Sequence, residues 1–395
     1  MNEIPPLIAA KAAQEVYALT KYRTLKAANE YLNNEYGGAF AFPFSNENLL
    51  KGKTGGPGFI KTRTAFGFVL IGKGFLEGHM FILFRGTEYI ADWITNFNIS
   101  TSNTSSGEAV HDGFNKAFKS MEPQLIDFMG RLNQYNIHTI NCIGHSLGGA
   151  LATICGEWIK KTYKRTPKIY TFGSPRVGLY SFASLCTSQV RSHNIYRAYH
   201  AMDIVPSIPV WPFYHVPLTG RDCRLTSPGG MMSFKVNHNM KGYVKSIGKK
   251  TWSQLKGMPV DLKDDKSIEN WLQEESAVSI NLLSIEWLNQ AILYVLRKCF
   301  DGASWLMGKT FSTTHTLMDQ LAFILHKGID IADSVSDWVI RFIKKIMLML
   351  GMRVVVEGIE FTAQFIRYVL QNLHDRVNRY VKDVLSDVLV NGRAI

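Results

Sequence analysis

Ser146 stands in the segment NCIGHSLGGALA, residues 141–152, between Gly144 and Gly148 and with an apolar run on either side. The pattern G-x-S-x-G carries chemical meaning when a strand leads into it and a helix leaves it. Here HTINCI precedes, and GGALATICGEWIKKTY follows with Ala150, Leu151, Ile154 and Trp158 on one helical face. Glycines two before and two after the serine remove the side chains that would clash in so tight a turn. The helix N-terminus behind Ser146 favours a developing negative charge. A hydroxyl presented in this way can attack a carbonyl carbon.

A serine hydroxyl is a poor nucleophile without a base. In a strand–elbow–helix arrangement, the acid and then the histidine follow later in the chain. Asp203, in YHAMDIVPSIPV, comes just after the strand-like NIYRAY, where a carboxylate can reach a central site. Five histidines follow it: His215, His238, His315, His326 and His374. The last three fall in a helical tail, which makes them poor partners for Asp203. His215, in PFYHVPLTG, is near Asp203 in sequence, and His238, in VNHNMKGYV, sits where a loop can start a late helix. Spacing alone does not separate these two.

These residues need a scaffold. A chain of 395 residues exceeds what one small core fills. With 46% hydrophobic and only 19% charged residues it is not a disordered chain. Strand-like segments at 65–74 and 78–86 suggest a buried hairpin, and 136–144, 167–173 and 193–200 suggest further strands. Helical stretches at about 114–134 and 148–163 lie between them, an alternation that predicts an α/β sheet with helices on its faces. The composition then changes. The polar stretch KKTWSQLKGMPVDLKDDK predicts a linker over 251–265, dividing a domain of residues 1–250 from a helical region over 266–395.

In that helical region Val335, Trp338, Val339, Phe342, Ile343 and Ile346 share one face, and Asp337, Arg341 and Lys345 lie off it. Ile366, Leu370, Leu373, Val377, Tyr380 and Val384 form a short heptad-like seam. A small bundle packing on itself accounts for both patterns, and docking onto a membrane or a protein partner is the alternative.

The net charge of +12 is unevenly placed: residues 1–250 carry +13 and residues 251–395 carry −1. An anionic partner such as a lipid head group fits that surplus, while no nucleic-acid motif is visible. The five cysteines have no framework spacing and read as free thiols. No apolar run approaches the roughly 18–20 residues that span a bilayer. The segment MNEIPPLIAAKAAQEVY lacks a basic region and a clean apolar run, so a Sec signal peptide is not expected. These features predict a cytoplasmic protein or one exported by a non-Sec route, acting at membrane surfaces.

Five segments in chain order, FRGTEYIADW, VHDGFNKAF, GHSLGGALA, TFGSPRVG and DIVPSIP, resemble the class 3 lipases, the fungal-lipase-like branch of the α/β-hydrolases. The resemblance runs from about Phe84 to Tyr243 and leaves residues 266–395 uncovered. It implies an α/β-hydrolase fold with a mostly parallel central sheet, here followed by an all-helical C-terminal region. It implies a carboxylic ester hydrolase, a triacylglycerol lipase or phospholipase A. Ser146 would be the nucleophile and Asp203 the acid. The base would be His238, because HNMKGY places Tyr243 a few residues on, whereas YHVPLTG resembles a non-catalytic position. The backbone amides of Thr87 and Leu147 would form the oxyanion hole. Residues 88–99 would form a lid, with Ile90, Trp93, Ile94 and Phe97 at helical spacing before the hinge-like STSNTSSGE. The chemistry requires no cofactor and no metal. The implied partner is a lipid aggregate or membrane surface, anionic if the basic surplus faces it. An exported phospholipase effector acting on target-cell membranes, and a catalytically silent membrane- or protein-binding module, are the alternative readings.

Overall fold

The computed structural model describes residues 3–19, 25–42, 49–54, 62–87, 100–210, 212–218, 222–229, 234–256, 263–302, 317–353 and 360–390. The elements of the first part are α1 (Pro6–Leu19), α2 (Leu25–Tyr36), β1 (Phe40–Ala41), β2 (Leu49–Thr54), β3 (Thr62–Gly72), β4 (His79–Phe84), β5 (Thr101–Asn103), β6 (Ala109–His111) and α3 (Asp112–Gly130). There follow β7 (Thr139–His145), α4 (Leu147–Tyr163), β8 (Lys168–Phe172), α5 (Tyr180–Val190), β9 (Ile195–His200), β10 (Cys223–Leu225), α6 (Phe234–His238), α7 (Met240–Ile247) and α8 (Trp252–Lys256). The helical region holds α9 (Asp265–Gln273), α10 (Leu282–Gly302), α11 (Leu317–Ile329), α12 (Asp333–Met349) and α13 (Ala363–Val390).

One mixed sheet of eight strands runs in the order β1-β3-β4-β7-β8-β9-β10, with β2 also on β3. The five strands from β4 to β10 are mutually parallel. The expected hairpin is present as antiparallel β3 and β4. Strand β7 is buried along nearly its whole length because helices cover both faces of the sheet. On one face α3, α4 and α5 contribute Phe114, Leu151, Trp158 and Phe182 to the core. On the other, α1 and α7 pack with Ala9, Ala13, Val16, Tyr243 and Ile247. The alanines of α1 let that helix approach β4, β7 and β8 closely. This layering is the α/β-hydrolase fold, and it brings the carboxyl ends of β4, β7 and β9 to one rim.

The first part runs past the expected boundary at residue 250. Trp252 is 3% exposed, donates its indole N–H to Ile4 O at 2.8 Å and stacks near Tyr196. A polar, charged surrounding sequence hid one large buried side chain; helix α8 is therefore part of the sheet's cover, not linker.

The helical region is not a separate bundle. Its apolar residues and those around Val205, Ile208 and Val216 of the first part form one continuous core. Helix α10 packs on the turn Val205–Ser207, with Asn289 Nδ2 donating to Ser207 O at 3.3 Å, and α13 packs on α6. The expected apolar face of α12 is buried at Val335, Val339, Phe342, Ile343 and Ile346, with Trp338 partly so. Lys345, expected off that face, is 1% exposed. Its Nζ donates to Glu274 O at 2.6 Å and lies over the Trp271 ring, which satisfies a charge that helical periodicity alone would send to solvent. The seam of α13 is buried at Ile366, Leu370, Leu373 and Val377, with Tyr380 and Val384 at its edge. Among the described residues no helix is long and apolar enough to cross a membrane.

Candidate active site

Ser146 lies between β7 and α4 with φ 58° and ψ −130°, a positive φ that costs a non-glycine residue energy. The surroundings impose it. Ser146 N–H donates to Phe172 O at 2.9 Å, and Gly149 N–H donates to Ser146 O at 2.9 Å. A methyl on Gly144 would lie 2.0 Å from Gly148 O, and one on Gly148 would lie 2.2 Å from Phe84 O. Only glycines permit this close passage of elbow against strand. Ser146 is 2% exposed, and its Oγ is buried without a hydrogen-bond partner. Leu147 opens α4, where first-turn amides lack an acceptor within the helix.

Asp203 and His238 meet beside the elbow. Asp203 is 2% exposed and follows β9. His238 ends α6, and its Nδ1 lies 2.8 Å from Asp203 Oδ2 and 2.9 Å from Oδ1. Tyr243 Oη donates to Asp203 Oδ2 at 2.6 Å, and Val205 N–H donates to Oδ1 at 3.0 Å. Burial and the Asp203 carboxylate push the Tyr243 phenol well above its ordinary range, so it stays a donor. With Nδ1 donating to the carboxylate, Nε2 of His238 is the nitrogen left for a proton transfer.

His215 takes no part in this group. It is half-buried near the guanidinium groups of Arg197 and Arg176, and desolvation first, then those charges, hold it well below the usual histidine range. The two histidines that spacing left open are thus divided by their surroundings. His326 bonds Phe361 O and His374 bonds Asn378, both within the helical region, while His315 lies outside the described residues.

Two further residues escaped the sequence reading. His145 Nε2 lies 2.7 Å from His238 O, so this nitrogen carries the proton. Tyr17 of α1 then donates to His145 Nδ1 at 2.8 Å, and its oxygen accepts Gly86 N–H at 2.8 Å. Burial, then the neighbouring His238, holds His145 well below the usual histidine range, which keeps it neutral. One phenol thereby ties the strand end before Thr87, the residue before Ser146, and the backbone of His238. Only the x position of G-x-S-x-G hinted at His145, and nothing local marked Tyr17. Tyr17→Phe strands a buried amide at a cost of about 1–3 kcal/mol. The expected result is a kcat lowered about tenfold with KM nearly unchanged, read by steady-state kinetics on a short ester.

The Gly86–Thr87 backbone borders the elbow: a methyl on Gly86 would meet Ser146 Cβ at 2.9 Å. Thr87 is half-buried. The expected lid residues Ile90, Trp93, Ile94 and Phe97 lie outside the described residues. All five cysteines are buried free thiols. A hydroxyl at a strained elbow, an imidazole oriented by a buried carboxylate, and backbone amides alongside form a set suited to acyl transfer.

The layered sheet and this grouping have the arrangement of the α/β-hydrolase fold. Residues 81–213 match the family model Lipase (class 3). The secreted mono- and diacylglycerol lipase 1 of Fusarium solani is 35% identical over 128 residues, covering 32% of this chain and 38% of the relative. A lipase of Rhizomucor miehei is 30% identical over 212 residues, covering 51% and 56%. The chloroplastic phospholipase A(1) DAD1 of Arabidopsis thaliana is 29% identical over 149 residues, covering 32% and 33%. The chain thus spans between a third and a little over half the length of these curated relatives.

Proposed function

We propose that this protein is a serine hydrolase of lipid acyl esters, a lipase or phospholipase A. Ser146 attacks the ester carbonyl carbon. His238 Nε2 takes the hydroxyl proton and delivers it to the leaving alcohol. Asp203 fixes the imidazole tautomer and stabilises the imidazolium. The amides of Thr87 and Leu147 donate to the tetrahedral oxyanion. Water, activated by His238, then releases the fatty acid and restores Ser146.

The observation that carries this reading is the 2.8 Å contact of His238 Nδ1 with a buried Asp203 next to the strained elbow of Ser146. Lipid as substrate is supported by the named activities of the relatives, which share an acyl ester and differ in head group. The stripe Ile90, Trp93, Ile94 and Phe97 fits a lid that covers the cleft in water and turns its apolar side chains to a lipid surface, with Trp93 well suited to the interface.

The test is mass-spectrometric product analysis on vesicles of defined phospholipid or triglyceride, wild type against Ser146→Ala. Wild type is expected to release fatty acid from at least one substrate, and the variant none. Turnover of a short soluble ester without release from any lipid would overturn the lipid assignment.

A further inference from the structure

A cavity of about 350 Å³ opens at the end of the parallel strands remote from Ser146, lined by His138, Thr139, Thr166, Lys168, Arg191 and His193. Thr139 begins β7, Lys168 begins β8, and the turn from Arg191 leads into β9. Three adjacent strands therefore supply the wall. Ser146 follows the far end of β7, so roughly 20 Å of strand separates the cavity from the elbow.

The lining offers many donors and few acceptors. Asn194, buried at the cavity's base, holds Lys168 Nζ through Oδ1 at 3.2 Å and commits its own amide to Val190 O at 2.8 Å. At the rim Lys160 Nζ donates to Thr166 Oγ1 at 2.7 Å. Among the described residues no carboxylate forms an ion pair with Lys168, Arg191, His138 or His193. Burial lowers the Lys168 pKa, with Glu3 opposing and Lys256 adding a smaller push downward. Arg191 adopts φ 69°, a positive value rare for a non-glycine residue. It is fixed there by Asn194 N–H donating to Arg191 O at 2.9 Å. Two cations, two imidazoles and two threonine hydroxyls around one cavity suit a compact anion with several oxygens.

We infer that this cavity binds a phosphomonoester or pyrophosphate group, supplied by a soluble phosphorylated molecule or by a lipid with a phosphomonoester head group. The four basic side chains around it lie at the end of the sheet opposite the elbow. The Lys168 and Arg191 charges of the basic surplus serve this second site and do not draw the Ser146 rim onto an anionic surface.

The test uses the full chain, with sodium pyrophosphate as soluble probe and vesicles of phosphatidylcholine with or without phosphatidic acid as lipid probe. Lys168→Gln and Arg191→Gln, singly and together, have half-buried or exposed side chains and should fold; their Tm without ligand checks this. Millimolar pyrophosphate is expected to raise the wild-type Tm by about 3 °C or more at constant ionic strength. The double variant should lose that rise. Flotation with phosphatidic acid vesicles that is lost in the double variant assigns the group to a lipid; a Tm rise without such flotation assigns it to a soluble molecule. Neither response, or responses that the double variant retains, overturns the inference.

Discussion

His238→Ala lowers kcat/KM on a short soluble ester by roughly three or more orders of magnitude, and Ser146→Ala leaves no more than a trace. The size follows from the proposed roles. Without an imidazole the Ser146 hydroxyl has no proton acceptor, and without the hydroxyl the imidazole has nothing to activate. The double variant is expected to be no slower than the worse single variant, because the two act as a unit. A fluorophosphonate probe should label wild type and not Ser146→Ala. His215→Ala should keep most of the activity per folded molecule, since the charges that act on its ring are Arg197 and Arg176, while Asp203 is paired with His238. The comparison is read by kinetics alongside thermal unfolding. The opposite ranking of His215 and His238 would sink the assignment of the base.

What the sequence disclosed and what it hid follow from the range of the interactions. The elbow was legible because its requirements are local: strand, glycine, serine, glycine, helix within a dozen residues. The hairpin and parallel strands were legible because strands buried on both faces are continuous apolar runs. The pairing of Asp203 with His238 spans 35 residues and includes a choice between two histidines. Spacing could not make that choice, and the resemblance in HNMKGY pointed to it. Tyr17 stands 128 residues from His145, in a helix whose pattern says only that it packs. No local signal marks such a contact. Lys345 was misplaced for a related reason, because helical periodicity assigns a face and cannot foresee a carbonyl and an indole waiting there. Trp252 was lost in a charged stretch whose average character is that of a linker.

The same limit bears on the helical region, and it leads to the second large effect. The sequence suggests that residues 1–250 stand alone. The structure instead has α10 on the turn Val205–Ser207, two residues beyond Asp203, and α13 on α6, which ends at His238. Both the carboxylate and the imidazole are therefore carried on segments braced from the helical side. Val210 shares an apolar cavity with Leu288, Ile292, Phe342, Leu370 and Leu373. Baring Val205, Ile208 and Val216 costs about 1.5–3 kcal/mol for each side chain fully exposed, against a whole-domain stability of about 5–15 kcal/mol. Deleting residues 263–395 is thus expected to leave mostly insoluble protein. Any soluble fraction should show a Tm at least several degrees lower and a kcat on a short ester reduced about tenfold or more, because Asp203 and His238 lose their relative placement before Ser146 does. Co-expressing residues 263–395 as a separate chain should restore part of both solubility and rate. A truncated protein that stays monomeric and soluble, with wild-type kcat on the short ester, would mean that the helices merely cover a surface and do not hold the acid and base segments in place.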